Sequence, residues 1–302
     1  MPLDYPFIPM RLFKNFSYVT TVMVGSVGSM IYYSMNVLWP RQVGQLYETD
    51  LLAVGWTSMT IGGGTLLGQV VGAMMCKPLG KHKWQLIVGC TALTAFIGAI
   101  AAGNENTRPL GVALTLLGSF SVGYIELVVL TTAPMCLAPE DIGLATGVGG
   151  ACRAGSGAIA TAIYVTILNN KLATTIPKFV GPAAVKAGLP ESSVPALISG
   201  LAAGNVTTVP GITSFIEVAA NSAYRTAYSE GFKVVYLASI AFGVVAMAAS
   251  VLTPNLENKF DDGVARKLHG RDIEEVEEKR HRNVPDLKNV DDTATGVEVE
   301  HA

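Results

Sequence analysis

Residues 109–139, PLGVALTLLGSFSVGYIELVVLTTAPMCLAP, and residues 142–168, IGLATGVGGACRAGSGAIATAIYVTIL, carry one ionisable side chain each, Glu126 and Arg153. About 20 mostly apolar residues suffice to cross about 30 Å of hydrocarbon as a helix, so each run reads as a membrane span. Working outward, residues 18–40, 51–76, 84–103 and 234–253 contain no charged residue at all. The expectation is an all-α, polytopic membrane protein with six transmembrane helices at about 18–40, 51–76, 84–103, 109–139, 142–168 and 234–253. Residues 1–17 form a cytoplasmic lead-in, 18–253 the transmembrane domain with a long external loop at 169–233, and 254–302 a cytoplasmic tail.

The composition agrees. Half of the 302 residues are hydrophobic and 15% are charged, against about 25% in a soluble domain. Residues 254–302 hold 13 of the 23 acids, which leaves 10 acids and 13 bases for the first 253 residues. So few charges cannot solvate a globular surface. A soluble enzyme, a basic nucleic-acid binder and a secreted disulfide scaffold are excluded on this ground, and no nucleic-acid partner is expected. Cys76, Cys90, Cys136 and Cys152 lie in or at the ends of spans and indicate no disulfide framework. His82, His269, His281 and His301 show no metal-ligand spacing. No cofactor is expected, and no nucleophile–base constellation points to an enzyme.

An even number of spans puts both termini on one side. The short segments there carry nine Lys and Arg (Arg11, Lys14, Lys77, Lys81, Lys83, Lys259, Arg266, Lys267, Arg271), against Arg41 and Arg108 opposite. Positive charge is retained on the cytoplasmic face, so both termini are placed in the cytoplasm. The sequon Asn205-Val206-Thr207 then falls in the external loop. Five prolines punctuate that loop, which reads as a few short helices. In the tail, Leu256, Phe260, Val264 and Leu268 recur every four residues and suggest a short amphipathic helix on the membrane surface, with disorder over the last fifteen residues.

Gly64, Gly68 and Gly72 form two consecutive GxxxG steps, and Gly147, Ala151 and Gly155 repeat the pattern. Such small faces let helices in lipid approach closely. These glycines are therefore read as packing surfaces, or as faces that rock during a transport cycle. No GK[ST] follows them, so a phosphate loop is excluded.

Glu126 and Arg153 stand about equally far from the turn near Pro139 and reach similar depth in antiparallel neighbours. An ionisable group at mid-span costs about 2.5–3.5 kcal/mol even on a lenient scale, so a Glu126–Arg153 pair or shared polar cluster is expected. At 100° per residue Ser119 shares a face with Glu126, and Tyr164 shares one with Arg153. Gln69 lies on a polar stripe of the second span, and Tyr32 and Asn36 are adjacent on the first. Polar faces on spans one, two, four and five describe four helices around a watery path and two at the periphery. The pair is read either as a structural staple or as a coupling site in which Glu126 binds a proton.

Several segments resemble a known family. Residues 6–15 (PFIPMRLFKN) are similar to the lead-in of the ninth helix in 14-span drug:proton antiporters of the major facilitator superfamily. Residues 139–147 (PEDIGLATG) with Arg153, residues 162–172 (AIYVTILNNKL), residues 223–228 (AYRTAY) and the tail from TPNL at 253–256 through KLH at 267–269 resemble the fungal trichothecene efflux pump and siderophore-iron transporter branch. The resemblance implies one half of a major facilitator fold, helices nine to fourteen. It implies a cavity lined by spans one, two, four and five, a small-molecule substrate and a plasma-membrane location. It departs in lacking the N-terminal half, and residues 72–83 (GAMMCKPLGKHK) are a degenerate echo of that half's cytoplasmic loop. The function implied is secondary active transport, with protons as the coupling partner: efflux of hydrophobic compounds or uptake of siderophore-iron. It requires the missing half or another six-helix half. The alternative is a truncated, non-transporting membrane protein that binds a full-length partner.

Overall fold

A computed structural model of the chain describes residues 12–48, 50–103, 106–137, 141–206 and 209–254. Most of the expected lead-in, the tail with its amphipathic helix, and Thr207 of the sequon lie outside the described residues.

The described residues fold into helices α1 (Phe16–Gln42), α2 (Leu51–Leu79), α3 (His82–Ile100), α4 (Arg108–Met135), α5 (Ile142–Lys186), α6 (Val194–Ala203) and α7 (Ser214–Leu252). Local chemistry sets the ends. Asn15 caps α1 by accepting from the amides of Ser17 (3.1 Å) and Tyr18 (3.3 Å), and its own amide donates to the Cys136 carbonyl at 2.7 Å, tying α1 to the end of α4. Asp50 caps α2 and Thr213 caps α7. α2 ends where Gly80 and Lys81 both take positive φ, 52° and 38°.

α2, α3, α4, α5 and α7 are long and apolar enough to cross a bilayer. α1 has 27 residues but more hydroxyls. It contacts α4, α5 and α7, and its polar groups are met internally. Thr21 donates to the Ser17 carbonyl at 2.8 Å and Ser34 to that of Met30 at 2.6 Å. A helix shielded by its neighbours needs less apolar surface than one facing lipid. Around it, α2 and α3 pack on α4, and α5 and α3 pack on α7.

Residues 169–233 do not form the expected loop of short helices. α5 runs on for 45 residues, and α7 begins twenty residues before the sequence-read span. At about 1.5 Å per residue, α5 is roughly 68 Å long, twice the hydrocarbon thickness. Pro177 and Pro182 do not stop it. A proline inside a helix costs about 3 kcal/mol, but Leu168, Leu172, Val180 and Ala184 recur at helical spacing and are buried in one cluster with Ile216, Ala220, Tyr224 and Tyr228 of α7. Thr175 adds a hydrogen bond to the Ala227 carbonyl at 3.3 Å. Burying that apolar seam outweighs the two lost backbone bonds. Only α6 and the turns around it fit the expected pattern of short pieces.

The two glycine patterns behave differently. A Cβ on Gly64 would sit 2.7 Å from the Leu116 carbonyl, one on Gly68 would collide with the Phe120 carbonyl, and one on Gly123 of α4 would collide with the Thr65 carbonyl. α2 and α4 therefore meet backbone to backbone, as the spacing implies. Gly72 is looser, with Leu127 at 3.2 Å. Gly147 and Gly155 have nothing within 4 Å. Both lie on an exposed face of α5, because α5 turns its opposite side to α1 and α7.

One polar knot sets the α2–α3 turn. Gln85 donates to the Gly80 carbonyl at 2.5 Å and accepts from the Tyr124 hydroxyl at 2.7 Å. Gln85→Leu leaves a carbonyl and a hydroxyl without these partners and is expected to cost about 1–3 kcal/mol, measured by thermal unfolding in detergent.

Candidate functional site

Three helices converge on one charged cluster. Arg153 of α5 places Nη2 2.5 Å from Oε1 of Glu126 on α4 and donates from Nε to the Ser29 hydroxyl of α1 at 2.9 Å. Ser29 in turn donates to Glu126 Oε1 at 3.4 Å. Glu126 is 7% exposed and Ser29 fully buried, while the Arg153 side chain retains 22% exposure.

The local sequence permits this arrangement. α1 carries glycine at 25 and 28, just before Ser29. A Cβ on Gly25 would stand 2.6 Å from Val129 Cγ1 and 3.6 Å from Arg153 Cδ. Its absence lets α4 close on α1 and lets the arginine stem cross between them. Ser156, one turn beyond Arg153, donates to the Ser26 carbonyl at 3.2 Å and holds α5 against α1 at the same level.

The cluster adjoins a cleft of about 160 Å³ between α1, α4 and α5. Val22, Ala133 and Ala145 line its portion towards the α4–α5 turn, with Val129, Gly150 and Arg153 further in. Chemically, the guanidinium stays charged under all conditions, so only Glu126 can change charge by taking or releasing a proton. Neutralising Glu126 would free the arginine beside an apolar-walled cleft.

The other residues singled out by sequence do not join the pair. Tyr164 is 2% exposed and stacks edge-on against Phe242 of α7 at 5.5 Å. Ser119 is buried, with its Cβ 2.9 Å from the position a Cβ on Gly64 would take, so it faces α2. Asn36 is exposed and donates to the Tyr32 carbonyl at 2.9 Å, and the Tyr32 ring meets Tyr33. Gln69 is half-buried on α2, with no hydrogen bond to the pair. Sequence reasoning missed Ser29. A signal existed: Ser29 precedes Tyr32 by three and Asn36 by seven, so all three share a helical stripe.

Comparison with known proteins finds relatives in fungi. It is 26% identical over 275 residues to the trichothecene efflux pump TRI12 of Fusarium sporotrichioides, covering 89% of this chain and 46% of that protein. It is 26% identical over 268 residues to the MFS-type transporter prx5 of Penicillium rubens (85% and 48%), and 26% over 282 residues to TRI12 of Trichoderma arundinaceum (88% and 46%). The chain thus spans about half the length of the curated relatives it matches. No solved structure matches it. The model of the fungal trichothecene efflux pump (TRI12) family matches residues 2–286, and the chain, an all-α polytopic membrane protein, belongs to that family.

Proposed function

We propose that this chain is the C-terminal, six-helix half of a proton-coupled secondary transporter in the plasma membrane, with both termini cytoplasmic and α1 as its sixth span. The other half comes from further sequence of the same polypeptide or from another chain. The observation that carries the reading is the Glu126–Arg153–Ser29 cluster, which joins three helices through one group able to change charge. Alternating access between two halves needs such a bistable element. With Glu126 ionised, the pair holds α1, α4 and α5 together. With Glu126 protonated, the bond to Arg153 weakens and the three helices are free to shift, coupling proton movement to opening of the cleft.

The reading of direction rests on the relatives: two of the three named above are trichothecene efflux pumps. Efflux of a hydrophobic small molecule is the reading taken for this chain. The apolar walls of the cleft suit such a substrate.

Whole-cell or proteoliposome transport of a hydrophobic compound, driven by an imposed proton gradient, tests this. Glu126→Gln, assembled with the complementary half, is expected to abolish gradient-driven accumulation while retaining substrate exchange at equilibrium. Unchanged gradient-driven flux would remove Glu126 from coupling.

A further inference from the structure

An apolar concavity lies away from the charged cluster, between the α2 end, α3 and α4. It has a volume of about 330 Å³ and is walled by Trp84, Val88, Ala92, Phe120 and Tyr124, with Lys81 at one end. Its wall polar groups are already engaged: Tyr124 bonds Gln85, and Ser121 donates to the Leu117 carbonyl at 3.0 Å. That leaves an apolar trough with a single cation at its mouth. Among the described residues, Lys81 forms no ion pair, and neither does neighbouring Lys83.

Lys81 has a second peculiarity. Its φ of 38° is the one positive value at a non-glycine residue among those described. Glycine takes that conformation without strain and lysine does not. A strained position that keeps its side chain points to use of that side chain. The surroundings indicate what it meets. α3 has no polar stripe, and its outward face carries Trp84 and Val88, so it faces hydrocarbon. An indole beside lysines at a helix start marks the level of the lipid headgroups.

We infer that this trough is a binding site for an anionic phospholipid of the leaflet at the α2–α3 turn. The phosphate and acidic headgroup sit against Lys81 and Lys83, Trp84 lies at the glycerol level, and one acyl chain follows Val88 and Ala92 along α3 over Phe120. Charge complementarity selects the occupant. A zwitterionic lipid fills the trough but leaves the lysines without net countercharge, and a basic pocket between membrane helices favours acidic headgroups. The site is independent of transport and rests only on bilayer residence.

The purified full chain in detergent, titrated with brominated phosphatidylserine or brominated phosphatidylcholine, tests this through fluorescence quenching in a Trp56→Phe background. The indoles remaining there are the exposed Trp84 and the fully buried Trp39, whose signal Trp84→Phe subtracts as the baseline. Wild type is expected to show saturable quenching, with phosphatidylserine about five-fold tighter per lysine engaged. Lys81→Gly relieves the backbone strain and so does not threaten folding. It should lose about five-fold of the phosphatidylserine preference, and Lys81→Glu/Lys83→Glu should erase the preference. Ala92→Phe, which fills the trough, should abolish the saturable component for both lipids. Equal affinity for the two lipids in wild type, or a preference unchanged in Lys81→Gly, overturns headgroup selection by these lysines. Saturable quenching that survives Ala92→Phe overturns the trough as the site, as does saturable binding that appears only after deletion of residues 255–302, which would make the tail its occupant.

Discussion

Glu126→Gln is expected to destabilise the helical bundle by about 3–5 kcal/mol, the usual cost of removing one partner from a buried ion pair. The variant leaves the Arg153 guanidinium in the bundle with the Ser29 hydroxyl and a neutral amide in place of a carboxylate. Because the Arg153 side chain keeps 22% exposure, water in the cleft relieves part of the loss, and the lower end of that range is expected. Thermal unfolding in detergent measures it. The double variant Glu126→Gln/Arg153→Gln removes both charges and should recover most of the stability, since two amides and a hydroxyl can bond one another at low cost. The same pair of variants separates the two roles open for the cluster. A structural staple requires the double variant to regain transport along with stability. A coupling site requires it to regain stability but remain without gradient-driven flux. Equal instability of single and double variants would show that the pair does not hold α1, α4 and α5 together.

Gly68→Val and Gly123→Val should each unseat α2 from α4. Both positions place a new side chain into opposing main chain, the Phe120 and Thr65 carbonyls respectively, and a main chain cannot swing aside as a flexible side chain does. Overpacking a closed interface costs about 1–3 kcal/mol and occasionally more, and these contacts are at the severe end. Because α2 contacts mainly α4, little else retains it. The expected result is loss of the folded chain or a large fall in unfolding temperature, read by size-exclusion profile and thermal melt. Gly147→Ala and Gly155→Ala are the controls. Their added methyls meet open space and replace a poor helix former by the best one, so stability should hold or rise by up to about 1 kcal/mol each. If all four substitutions behaved alike, the α2–α4 seam would not be a closer contact than the exposed face of α5. Should the alanine controls spare folding yet block transport, the exposed α5 face would be required by a second half.

Residue chemistry alone determined a great deal of this protein. Long uncharged runs force helices in a bilayer, because lipid offers no partner to an unpaired backbone group, and the GxxxG steps of α2 already implied a close neighbour. Symmetric placement of Glu126 and Arg153 about a turn near Pro139 was enough to expect their meeting, since two lone charges in an apolar bundle have a strong reason to find each other. Tertiary structure decided the rest. It decided which glycine pattern touches another helix of this chain, because spacing describes a face but not what covers it. It added Ser29, whose hydroxyl gains its meaning only where Gly25 lets α4 close on α1 and the Arg153 stem cross between them. It also turned both ends of the proline-punctuated stretch 169–233 into extensions of α5 and α7, leaving only α6 and its turns between them. There the local preference of two prolines yielded to a long apolar seam that exists only once both helices are side by side.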